Sequence, residues 1–247
     1  PRGLQQYSKP TGGMVGDLLY YLIMEAPNLF TCTGRFEERD FVFLASVVAG
    51  NSEDSAFRRF VADREELLGI MDDERVVRAI LEAPTLLNVS PSFYFYVLVR
   101  HSLKRSSLDD FALAEYLGSL LAERVAASPS DALRGIPAGF VHTVDFLGIL
   151  DQASGNTRYE LLVAAGNQFL ILTGMFPDYI LQRSERHGAP GIAYYESFAR
   201  SSFHQASDCA IARSCGMSEV LDTLTQVLPE ARRSLNHVAD SLLFLAS

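Results

Sequence analysis

From Leu161 to Pro177 the chain carries no charged side chain, and this one stretch constrains the fold more than any other. A membrane-spanning helix needs about 20 mainly apolar residues. This stretch is shorter, and Asn167, Gln168 and two glycines interrupt it. It fits a helix buried on all sides at the centre of a protein, over 157–173, with amphipathic pieces wrapped around it.

The pieces available for wrapping read mostly at helical period. Helices are expected over 17–26, 37–49, 52–68, 72–83, 91–104, 107–127, 141–152, 157–173, 178–187, 192–214 and 218–245. Asp72 suits the N-cap of one helix, with Pro84 as its stop. Ser90 and Pro91 suit the cap and first position of the next. Ser107 to Asp110 approximates a capping box, with Asp in the place of Glu. Pro229 is expected to kink or split the last helix. The run Phe93 to Val99 is rich in aromatic and β-branched residues and also suits a buried strand. The expected fold is therefore an all-α, multi-helix globular bundle around a central apolar helix, with an α+β alternative holding a short strand at 93–99.

Residues 128–139, rich in Ser, Pro and Gly, read as a linker between an N-terminal helical subdomain (1–127, its first sixteen residues loosely held) and a C-terminal one (140–247). The C-terminal helices are apolar enough to require a shared core. The first sixteen residues contain no apolar signal-like region.

Composition excludes several classes. Apolar residues make up 48% of 247 positions, enough for a real core. Lys+Arg 21 against Asp+Glu 30 gives −9, a field that repels phosphate backbones, so no nucleic acid is expected. The cluster Arg100, His101, Lys104, Arg105 and the smaller Arg183, Arg186, His187 read as cations near helix C-termini. Three cysteines without a C-x-x-C argue against a zinc ribbon or thioredoxin-like site and suit a reducing cytoplasm. No phosphate-cradling glycine loop, nucleophile elbow, H-E-x-x-H or Glu-x-x-His is present, so no cofactor is expected.

Two groups of residues could carry chemistry. His142 with Asp145, His204 with Asp208 and His237 with Asp240 stand three or four apart, on one helix face each. Convergence of the pairs would make a metal site; separately they are partly buried histidines bonded to a carboxylate, or solvated side chains. The segment 194–204 is dense in polar and aromatic groups. Tyr195, Glu196 and Arg200 could line a ligand pocket, with Arg200 gripping an anion. The simpler reading has Tyr194, Phe198 and Phe203 packing inward while Glu196 and Arg200 pair on the surface. Asn167 and Gln168, amides within the apolar helix, need partners: backbone at a kink, or polar groups around a cavity.

Three stretches, Ser90 to Arg100 (SPSFYFYVLVR), Gly166 to Pro177 (GNQFLILTGMFP) and Gly191 to Tyr195 (GIAYY), together resemble a group of soluble bacterial proteins without an assigned activity. The resemblance implies a helical, bacterial, cytoplasmic protein and carries no catalytic residue over. The sequence thus leads to a non-enzymatic helical binding or regulatory protein, acting on an unnamed ligand or as a homo-oligomer, with no membrane partner. Leu242, Leu243, Phe244 and Leu245 could help form a groove or dimer interface, or be absorbed by the core. The alternative is a metal-binding or small-molecule enzyme using the His–Asp pairs.

Overall fold

The computed structural model describes residues 32–48, 64–82, 88–126 and 143–243. All regular structure among them is helical. A 3₁₀ turn, Cys32–Arg35, leads into α1 (Glu38–Val48); α2 (Arg64–Met71), α3 (Glu74–Glu82), α4 (Pro91–Arg105) and α5 (Phe111–Ala126) follow. Then come α6 (Thr143–Gln152), α7 (Gly155–Met175), α8 (Pro177–His187), α9 (Ile192–Ser207), α10 (Ala210–Ser214) and α11 (Ser218–His237), which runs on into a π-helical turn, Val238–Leu243. The run 93–99 is the middle of α4, so the strand alternative is set aside. The expected helix at 17–26, the linker 128–139, the first sixteen residues and Phe244 and Leu245 lie outside the described residues.

The uncharged stretch is the interior of α7. Every residue from Leu161 to Gly174 except Gln168 is buried, and α7 packs chiefly against α9 and α11. Glycine makes those crossings close. A Cβ on Gly166 would fall 2.5 Å from the Phe203 ring of α9, and one on Gly174 would fall 2.7 Å from Leu235 Cβ of α11. In the other half α4 lies against α5, where a Cβ on Gly118 would sit 3.0 Å from Tyr96 Cα. Among the described residues no single helix is long and apolar enough to cross a membrane; α7 and α8 have the length together but meet at 89°.

Side-chain caps explain the starts of α3, α4 and α5, whereas α7 to α11 start without one. Ser90 Oγ accepts from Phe93 N–H at 3.1 Å and donates to Asp40 Oδ2 at 2.6 Å, so α4 starts where Ser90 and Pro91 predict. Asp40 is fully buried and also accepts from Ser90 N–H and Glu37 N–H, at 2.5 and 2.7 Å. Three expectations need correction. Asp73, not Asp72, accepts from the first turn of α3, from Arg75 N–H at 2.8 Å. The cap of α5 is Asp110, which accepts from Leu113 N–H at 2.9 Å; Ser107 sits at φ 60°, outside any helix. The single helix expected over 192–214 breaks at Asp208–Cys209 into α9 and α10. Pro229 does bend α11, with Val227 at φ −107°, ψ 22°.

Candidate functional site

The expected ligand residues meet different partners. Asn167 and Gln168 turn to α5: Tyr116 O–H donates to Asn167 Oδ1 at 2.6 Å, and Arg124 donates to Gln168 Oε1 at 2.7 Å. The Asn167 Nδ2 group is buried without a partner. Burial pushes the Tyr116 phenol far up, so this hydroxyl stays protonated and serves as a structural donor. Glu196 pairs with Arg232 of α11 rather than with Arg200, and Arg232 also donates to Asn236 Oδ1 at 2.7 Å. Asn236 in turn donates to the Thr173 carbonyl at 3.2 Å and to that of Gly174, tying α11 to the end of α7. Arg200 is exposed. The intrahelical surface pair is therefore replaced by a bridge between helices.

Among the described residues no group of three or more His, Cys, Asp or Glu side chains is placed to hold a metal ion. His204 and Asp208 are exposed on and just after α9. His237 ends α11 and Asp240 follows in the π turn, with the cation Arg105 close enough to act on the imidazole. A positive neighbour opposes a second cation there. His142 lies outside the described residues, as does the side chain of Asp145.

The basic cluster on α4 has a different role from the one expected. Arg100 is only 2% exposed. Its Nε and Nη2 donate to the two oxygens of Asp72 at 2.9 and 2.8 Å, and Nη2 also meets Asp109. The guanidinium carbon stands 3.9 Å from the centre of the Phe111 ring. Lys104 reaches Asp72 from outside at 3.2 Å. Burial works against the Asp72 charge, but the bonds from Arg100 and Lys104 outweigh it and hold the carboxyl below its ordinary range. Glu115, another buried carboxylate, accepts from Thr33 N–H at 3.0 Å and from its hydroxyl at 2.5 Å, closing the 3₁₀ turn onto α5. Beside it burial pushes the Cys32 thiol up to about 12, with Glu115 adding to the push, so this cysteine is inert. These are joints of the fold.

One cluster presents its groups outward, between α8 and α9. Its floor is aromatic. Phe169 of α7 stacks on Tyr195 at 5.6 Å and touches Phe198 at 4.7 Å, and Phe146 of α6 meets Phe198 edge-on at 5.8 Å. Tyr194 stands edge-on to Tyr195 at 5.4 Å and is 41% exposed. From α8, Arg183 donates to Tyr179 O–H at 3.1 Å, its guanidinium 5.8 Å from that ring. Among the described residues no carboxylate pairs with Arg183. Burial pushes the Tyr195 phenol up; Arg183 pulls it back, and Tyr194 and Tyr179 add to the push, which places all four groups in one electrostatic neighbourhood. The turn joining the helices is fixed by Gly188 at φ 62°, in the left-handed region where glycine is favoured. Ile192 and Ala193 open α9 behind a Gly191 cap that offers no side-chain acceptor.

The sequence pointed to Tyr195 and missed Tyr179 and Arg183. Arg183 was read as a helix-end cation, and the partner that matters is a tyrosine on the same helix, four residues back. That spacing was visible; the aromatic floor from α7 was not. The chain matches no family model, no curated protein and no solved structure.

Proposed function

We propose that the protein is a non-enzymatic helical binding module, and that its α8–α9 hairpin takes an anionic group carried on a flat apolar body, such as an aromatic carboxylate or phosphate. The observation that carries this reading is the half-buried Arg183 guanidinium, oriented by Tyr179 and left without a carboxylate partner at the edge of an aromatic floor. Such a guanidinium offers donors in a planar fork suited to a carboxylate or phosphate. Tyr194 adds a partly exposed ring face for stacking. The buried arginine, Arg100, is held by Asp72 and Asp109 through Nε and Nη2, with its buried Nη1 left without a partner, so the two arginines divide into a structural one and a receptive one. A reducing cytoplasm is the setting we infer, since three cysteines that stay unpaired suit such a compartment; that it is a bacterial one rests on the resemblance alone.

The test uses the chain's own optical probe. There are ten tyrosines and no tryptophan, and three of the ten, Tyr179, Tyr194 and Tyr195, stand in this cluster, so the emission change attributed to it is the difference between the native chain and Arg183→Ala. Titration with benzoate and with phenyl phosphate should give a saturable change, with affinity at least about tenfold weaker in Arg183→Ala. A flat titration up to about 10 mM of both probes, or equal affinity in the variant, overturns the reading.

A further inference from the structure

We propose that the seam between the C-terminal halves of α4 and α11 is an acid-sensitive latch: protonation of His101 and His237, beside Arg105, parts the two helices and frees the π turn Val238–Leu243. The argument begins with how the seam closes. Ser102 Oγ donates to the Ser234 carbonyl at 2.8 Å, and Ser234 Oγ donates to Ser106 Oγ at 3.1 Å. Ser102 and Ser234 are both buried, so these hydroxyls add directional bonds to the apolar packing of Leu103, Leu235 and Val238 around them. The hydrogen bonds depend on close approach of the two helices, and small displacements undo them.

One histidine flanks the seam from each side. His101 is half-buried on α4, and His237 is half-buried at the end of α11. The Nε2 of His237 is buried and has no partner. A neutral imidazole tolerates that by leaving the nitrogen unprotonated; an imidazolium must carry a proton on it with no acceptor in reach. The charges that face the pair are Arg105 and Lys104 of α4, Glu74 of α3 and Asp240 of the turn. Lys104 is already engaged by Asp72. Burial lowers the proton affinity of both imidazoles, Arg105 lowers both further, and His237 acts against charging His101; Glu74 opposes this at His101 and Asp240 at His237 without cancelling it. The sign follows. Groups that bind protons less readily when folded stabilise the closed seam above the ordinary histidine pKa of about 6.5, and that contribution is lost as pH falls below it. What opens is specific, because Val238 and Ala239, which start the turn, are fully buried and leave the core with it.

Backbone hydrogen exchange on the full chain tests this, comparing the amides of 234–243 with those of α7 and α9 between about pH 7.5 and about pH 5.5, after correction for intrinsic rates. The latch requires protection in 234–243 to fall by about tenfold or more while α7 and α9 hold. In His101→Gln/His237→Gln the fall should shrink to less than about twofold. Arg105→Gln, which keeps both histidines, should shrink the fall, because each imidazole then protonates within the closed seam more readily and opening gains less from the proton. Protection that is flat with pH, a fall that persists in the double variant, or a fall of unchanged size in Arg105→Gln overturns the proposal; should the double variant fail to fold, the size of the fall in Arg105→Gln decides it alone.

Discussion

The two ends of the helical array are held by different physics. Around α1, α3, α4 and α5 the joints are charged: Asp40 binds the start of α4, Arg100 binds Asp72 and Asp109, and Glu115 binds the 3₁₀ turn. Around α7, α9 and α11 the joints are mainly steric, with glycine notches at Gly166 and Gly174 and a layer of stacked rings, and the Glu196–Arg232 pair adds a charged bridge at the edge. Charged joints are strongly directional and lose most when one partner is removed. Steric joints are insensitive to pH and salt but fail when volume is added. A chain that uses both should show two separable responses to mutation.

The largest effect is expected at the charged end. Arg100→Ala leaves Asp72 poorly solvated and uncovers Phe111, and should cost about 3 kcal/mol or more in urea denaturation. Asp72 sits below its ordinary pKa in the fold, so its contribution is present above about pH 4 and is lost as pH falls through the folded value. The gap between native chain and variant should therefore narrow below about pH 4; a gap that stays constant would mean that packing on Phe111, not charge, makes this joint. Gly166→Val comes next, at about 2 kcal/mol, because the added carbons meet the fully buried Phe203 ring. Its cost should be the same at low and high salt, and a salt-dependent cost would erase the distinction between the two ends.

A smaller effect sharpens the comparison at the place where the ends meet. Tyr116→Phe removes the partner of Asn167 across α5 and α7 and should cost about 1 kcal/mol. Adding Asn167→Leu should recover part of that, since a buried amide with no partner is worse than an apolar side chain. If the double variant is no better than the single one, the amide has another role. Smallest of all, Arg233→Ala breaks an exposed pair with Glu230 and should change stability by less than about 0.5 kcal/mol.

What the sequence disclosed divides along a similar line. Local signals were legible: Ser90 and Pro91 mark the start of α4, Pro229 marks a bend, and the missing charges between Leu161 and Pro177 mark the central helix. Signals with a distant cause were not. Asp72 resembled a cap until Arg100, 28 positions away, claimed it. Glu196 and Arg200 have the ideal spacing for a pair, yet Arg232, 36 positions on, lies closer in space. The run 93–99 could be settled only by its caps, because a residue buried on every side gives no periodic contrast. The α8–α9 cluster was half legible: its residues are near in sequence, but the Phe169 ring that makes it a surface for binding comes from the core.

Gly166 and Gly174 also act on α7 as two keyways cut into one shaft. They lie eight residues apart and about 80° around the axis from each other, so each accepts a different neighbour. Seating both fixes the rotation of α7 and its height together. One residue inserted between them would turn one slot by about 100° more, to about 180° from the other, leaving no orientation in which α9 and α11 could both engage.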